Sequence, residues 1–277
     1  MGFKPNSGGA KTEQPHLFDT DIQPVKCPEN TFDVSLSGNW TINGIPNGGY
    51  LMAVMANCMK QVCEKGSTPI VTASFLSRCR PGTSRITVHP IAESRQFNRI
   101  EARLFQEGEE KIRAMGTFAA RKDECFIERT ESLPPDIASV ADAIRIPSME
   151  GYTLYDNVEL KLDPACIGWV NGSFSEKSEQ KGWIRFYRER AADIPSVLLF
   201  SDAFPPAVLT SQGMVAWVPT VEMSVNIRRL PETPWVKGIF RTRFITCGLL
   251  EEDGELWDEN GSLVAISRQI AVYRKEQ

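Results

Sequence analysis

The sequence has only two histidines, His16 and His89, in 277 residues. So thin a supply removes most Ser-His-Asp and Cys-His nucleophile schemes, together with the histidine-based zinc hydrolases. Its seven cysteines, Cys27, Cys58, Cys63, Cys79, Cys125, Cys166 and Cys247, are scattered, with no Cys-x-x-Cys pair and no histidine at metal-ligand spacing. They read as buried free thiols, and neither a metal site nor a cofactor is expected. Long apolar runs are missing as well. No segment approaches a membrane span, and the first dozen residues lack the apolar centre of a signal peptide, so a cytoplasmic protein without a membrane partner is expected. The formal net charge of −4 argues against a general affinity for nucleic acid. One local cluster, Arg185, Arg188 and Arg190, suits either an anionic ligand or a solvated face.

What the chain does have is an ordinary globular composition, 42% hydrophobic and 24% charged, at a length that accommodates two domains. It also repeats itself. About 150 residues after Val71-Thr72-Ala73-Ser74-Phe75 comes Val221-Glu222-Met223-Ser224-Val225, and both segments run on through Arg78 or Arg228 to Pro81 or Pro231. Met115 to Lys122 then answers Arg268 to Lys275 with the same alternation. In this alignment Thr72 stands opposite Glu222 and Gly116 opposite Gln269, so the second copy holds a carboxylate and a carboxamide that the first lacks.

Each copy reads as a helix followed by an antiparallel meander. In the first, a turn-like Asn43 to Gly49 opens an apolar helix over Tyr50 to Cys63, followed by strands at Pro69 to Arg80, Ser84 to Ser94, Asn98 to Gln106 and Lys111 to Arg121. In the second, extended segments at Tyr152 to Leu162, Ile167 to Phe174 and Trp183 to Arg190 precede a helix from Pro195 to Leu209. Strands are expected next at Val215 to Arg229, Val236 to Thr246, Glu251 to Trp257 and Leu263 to Tyr273. The division is residues 1–125, a linker over 126–150 with a short helix near Ile137 to Ile144, and residues 151–277. One apolar helix per amphipathic sheet predicts an α+β fold in which each sheet wraps its helix and the copies join edge to edge.

The helix opening Pro46-Asn47-Gly48-Gly49-Tyr50, the run Phe200-Ser201-Asp202-Ala203-Phe204-Pro205-Pro206, the strand Thr220 to Val225, and the ending Asp258 to Ala265 through Gln269 together resemble acyl-CoA thioesterases of the type II, double-hotdog class. The similarity runs from about Phe32 to Arg274. It implies two tandem hotdog domains, each an antiparallel sheet around a long central helix, and an acyl-CoA substrate hydrolysed by an Asp, a Thr or Ser, and a Gln that orient one water. Position by position, the resemblance puts the Asp at Glu222, the Gln at Gln269, and the hydroxyl at Thr242 or Thr246. Glu for Asp is a departure from the family pattern.

Hydrolysis of a thioester needs a proton acceptor, a held water and donors for the oxyanion. Glu222 suits the first role, unless it is an outward-facing strand carboxylate sharing a face with Ser224 and Asn226. Gln269 and a threonine hydroxyl suit the second. For the third, the helix start Asn47, Gly48, Gly49 and Tyr50 offers unpaired N–H groups, although Asn47 is equally explained as an N-cap. Asp202 reads as structural. A catalytically silent acyl-CoA-binding protein is the alternative, and a hotdog hydratase, which relies on an Asp-His pair, is disfavoured. Open sheet edges make a homo-oligomer plausible.

Overall fold

Alternating inward and outward side chains build one large sheet. In the computed structural model, which describes residues 14–63, 65–120, 127–214 and 216–275, the first half supplies β1 (Thr31–Leu36), α1 (Gly48–Lys60), β2 (Ser67–Phe75), β3 (Gly82–Glu93), β4 (Phe97–Gln106) and β5 (Glu109–Ala119). The second half supplies β6 (Val158–Leu162), β7 (Ser178–Phe186), α2 (Ile194–Phe200), β8 (Thr220–Ile227), β9 (Val236–Thr242), β10 (Leu249–Asp258) and β11 (Leu263–Val272). All these strands join one sheet in the order β1-β3-β4-β5-β2-β8-β11-β10-β9-β7-β6, and every pairing is antiparallel. Read outward from the middle, the two halves repeat one another, which is the α+β double hotdog.

The seam is β2 against β8. Ala73 pairs with Met223, and the hydroxyls of Thr72 and Ser224 lie 2.9 Å apart. From this pair outward, Ala73 faces Ala114 on β5, while Met223 faces Gln269 on β11. The structural counterpart of Gln269 is therefore Ala114, two residues from the Gly116 that sequence alignment sets opposite it. A slip of two leaves period-2 alternation intact, so the hydrophobic pattern has no power to detect it. One strand further, Gln269 pairs with Glu252 and Ala114 with Ala102. The polar pair therefore occurs once, in the second half.

Helix α1 is apolar nearly all round, and Tyr50 through Ala56 are buried inside the curl of the sheet. Asn47 caps it, its Oδ1 accepting the Tyr50 N–H at 3.0 Å. The helix begins in close contact with the end of α2. A Cβ on Gly49 would lie 2.5 Å from the Leu198 carbonyl oxygen and 3.0 Å from that of Leu199, so only glycine allows this approach. The main core runs through both halves, and a smaller cluster of Trp169, Val208, Leu209, Leu250 and Ala271 is separate from it.

Several elements depart from the sequence expectation. The second helix stops at Phe200, well short of Leu209, because Pro205 and Pro206 lack N–H donors and restrict the residues before them. Only a further turn, Leu209–Gln212, follows. Leu154–Asn157 is helical rather than extended, and Gly168–Asn171 is a 3₁₀ turn closed by Gly172 at φ 76°. Within the linker, residues 140–142 form a turn instead of a helix, and Ile144–Arg145 then pairs with β6. Not all thiols are buried: Cys58, Cys79 and Cys166 are, Cys27 and Cys63 are partly so, and Cys247 is exposed. Cys125, Arg121, Lys122, Val215 and residues 1–13 lie outside the described residues. Among the described residues no helix is long and apolar enough to cross a membrane.

Candidate active site

A cavity of about 850 Å³ opens where the start of α1 meets the segment after α2 and the ends of β8, β10 and β11. Its walls are largely apolar, with Leu51, Phe75, Tyr152, Trp169 and Phe204 among them. Its polar lining includes Asn47, Asp202, Thr220, Glu252 and Gln269, together with Ser77 and the arginines Arg78, Arg145 and Arg274.

Asp202 owes its place to the early end of α2. Because the chain turns there, its carboxylate is aimed back at the start of α1, and Oδ2 accepts from Asn47 Nδ2 at 2.9 Å and from the Gly49 N–H at 3.0 Å. The Asn47 amide also donates to the Asp202 carbonyl oxygen at 2.7 Å. Burial pushes the carboxyl up from 3.8 to about 6, against the pull of these donors. One edge of the residue still faces the cavity.

Thr220 is aimed inward by a β-bulge. The β8–β11 register shifts between Thr220 and Glu222, so Val221 has no direct partner and the alternation inverts there. Thr220 Oγ1 consequently donates to Gln269 Oε1 at 2.7 Å. Gln269 Nε2 donates to Glu252 Oε1 at 2.7 Å, and Glu252 Oε2 takes the Ala207 N–H at 2.5 Å. Glu252 is 4% exposed. Burial first, and then the nearby Asp202 and Glu251 charges, push its carboxyl up to about 7 while its two donors pull the other way.

Several sequence expectations are corrected by this geometry. Period-2 alternation with the inward Met223 leaves Glu222 on the outer face, where it is exposed and its only side-chain partner among the described residues is the Ser74 hydroxyl at 3.5 Å. Thr242 is inward but 7% exposed and outside the cavity lining, and its hydroxyl is without a partner among the described residues. Thr246 is exposed on the short strand Ile245–Thr246, which pairs with Leu249 and Leu250. Of the helix start, Asn47 and Gly48 line the cavity, but the Gly49 N–H is committed to Asp202. Tyr50 is fully buried elsewhere, its hydroxyl donating to the Asp21 carbonyl oxygen and accepting the Ser37 N–H. Gln269 stands in the cavity beside a hydroxyl and a carboxyl, though different ones from those expected. The arginine cluster is engaged elsewhere: Arg185 pairs with Glu159 at 2.6 Å, Arg190 with Asp19 and Asp193, and Arg188 donates to the Gln14 carbonyl oxygen.

Sequence reasoning passed over Thr220 and Glu252 and set Asp202 aside. Two of them carried a signal. Asp202 is the lone charge in the apolar stretch from Ile194 to Leu209, and Glu252 falls in the apolar phase Leu250, Glu252, Gly254, Leu256. Thr220 carried none, because the bulge depends on pairing with β11.

The chain matches known proteins at this point. Residues 36–119 match the family model of the acyl-CoA thioesterase N-terminal domain and residues 133–273 that of the C-terminal domain. A protein of Thermobifida fusca YX provisionally named a thioesterase II superposes with a TM-score of 0.86 at 23% identity, covering 94% of this chain and 98% of that one. The acyl-CoA thioesterase II TesB2 of Mycobacterium marinum gives 0.74 at 14% identity, covering 94% and 99%. An uncharacterised protein of Mycobacterium tuberculosis strain H37Rv is 24% identical over 92% of this chain and 95% of its own length.

Proposed function

The chain belongs to the acyl-CoA thioesterase family, and from that premise we propose that it hydrolyses fatty acyl-CoA to a free fatty acid and CoA at the Asp202, Thr220 and Gln269 cluster. The observation that carries this reading is the 2.7 Å hydrogen bond from Thr220 to Gln269 on the wall of the cavity that Asp202 also lines. An Asp, a Thr and a Gln are the three residue types that the family resemblance asks for, and all three line one cavity.

In the proposed reaction a water held by Thr220 and Gln269 attacks the thioester carbonyl carbon. Asp202 accepts its proton, a C–O bond forms, and the carbonyl oxygen takes up the negative charge. Collapse of the tetrahedral intermediate breaks the C–S bond, and the CoA thiolate leaves and takes a proton from Asp202 or solvent. A carboxyl held near 6 is ionised at neutral pH yet basic enough to accept a proton. The donor for the oxyanion is the second hydrogen of Gln269 Nε2, because the Gly48 and Gly49 N–H groups both serve the Asp202 carboxylate. The apolar walls suit an alkyl chain. No cofactor enters the scheme.

The test is thiol release from short, medium and long acyl-CoA esters by the wild type, Asp202→Asn and Gln269→Ala. Turnover by the wild type alone supports the reading. Equal turnover by all three rejects this site, and no turnover on any ester favours an acyl-CoA-binding protein.

A further inference from the structure

Glu252 is buried behind Gln269 and takes no part in the steps above. Its position nevertheless decides what those steps meet. A carboxamide has a donor end and an acceptor end that a half-turn of the side chain exchanges, so Gln269 by itself has two ways to face Thr220. Glu252 removes one of them. In its ionised form, which both donors favour, it only accepts, and it does so from Gln269 Nε2 at 2.7 Å and from the Ala207 N–H at 2.5 Å. With Nε2 held there, Oε1 must face Thr220, and the Thr220 hydroxyl must spend its only hydrogen on it at 2.7 Å. The cavity therefore meets Thr220 as an acceptor and Gln269 Nε2 as a donor.

We propose that Glu252 is a positioning residue that fixes the hydrogen-bond direction of the Thr220–Gln269 pair, and hence how the attacking water is held. The inference rests on the thioesterase reading. The direction is anchored at the far side because the Ala207 partner is a backbone N–H, which can only donate.

Replacing the carboxylate by its isosteric amide tests the direction itself. In Glu252→Gln the oxygen is claimed by the Ala207 N–H, so the new NH₂ faces Gln269. Gln269 must then turn its oxygen to residue 252 and its NH₂ to Thr220, which now accepts from Gln269 and points its hydrogen into the cavity. The expected result is a fall in kcat on the order of 100-fold with KM within about threefold, since the cavity walls are untouched while the water is held wrongly. The conservative Glu252→Asp keeps a group that accepts from Gln269, so the carboxamide retains its orientation and the Thr220 hydroxyl donates as before. It is expected to stand at least about tenfold above Glu252→Gln in kcat although its shorter side chain disturbs the packing more, an order that a merely structural Glu252 would reverse.

Wild-type kcat in Glu252→Gln, with Asp202→Asn inactive, overturns this inference and leaves the thioesterase reading standing. A wild type that turns over no ester overturns both. Should Glu252→Gln fail to fold, Glu252→Asp is read alone. Turnover well above that of Gln269→Ala supports the assignment, and turnover as low as that variant's overturns it.

Discussion

Replacing Asp202 by Asn is expected to make the protein more stable and less active at once. The carboxyl rises from 3.8 to about 6 on folding, chiefly through burial. Each tenfold change in proton affinity is about 1.4 kcal/mol, so the ionised form costs the folded chain up to about 3 kcal/mol at neutral pH. The asparagine forfeits little in exchange. Asn47 Nδ2 and the Gly49 N–H converge on the single oxygen Oδ2, and an amide oxygen in that place accepts both, while the Gly48 N–H favours the ionised form and offsets part of the gain. Solvent in the cavity screens part of the charge, which leaves an expected gain of about 1–3 kcal/mol.

The sign with pH follows from proton binding. A carboxyl whose folded value is raised holds more protons in the native state between the two values, so stability falls as pH rises from 3.8 to about 6 and stays low above that. The advantage of the asparagine must therefore be near zero below pH 3.8 and complete above about pH 6. Urea denaturation of both proteins at pH 4 and at pH 7.5 reads this directly, and thiol release on the same samples should fall by about 10²–10⁴-fold. Lower stability of the variant at pH 7.5, a stability difference independent of pH, or turnover above a tenth of wild type would refute the reasoning.

Other substitutions probe the frame around the site. Gly49→Ala drives a methyl into the Leu198 carbonyl oxygen at 2.5 Å and should destabilise by about 1–3 kcal/mol, seen as a lowered melting temperature by circular dichroism. Glu222→Ala should leave kcat within about twofold and stability within about 0.5 kcal/mol, because the side chain is exposed on the outer face; a large loss of turnover would return Glu222 to the chemistry. Thr242→Val removes a buried hydroxyl that has no partner among the described residues, so it should raise stability by about 1 kcal/mol in urea denaturation with turnover unchanged.

How much of this was legible beforehand depends on how far a signal reaches along the chain. The α1 helix and the strands β2 to β5 stand within a few residues of their expected places, because period-2 alternation and an apolar run bounded by Asn47 are local signals. The second helix ends before its expected limit: its apolar residues outweigh Pro205 and Pro206 in the pattern, whereas in the backbone the prolines decide. Gln269 was chosen through the repeat even though its counterpart was placed two residues off, a slip that alternation tolerates.

By itself the sequence determined a duplicated α+β chain of acyl-CoA thioesterase type, poor in histidine, with a carboxamide in its second half that the first does not have. Only the tertiary structure decided which side chains stand together. A bulge of one residue at Val221 brings Thr220 to the inner face while Glu222 stays on the outer one, and a glycine at 49 lets two helix ends touch so that Asp202 meets the start of α1. Both are consequences of pairing and packing between segments far apart in the chain. Period and propensity describe neighbours in sequence, and neither reports which of two adjacent side chains a distant strand will turn inward.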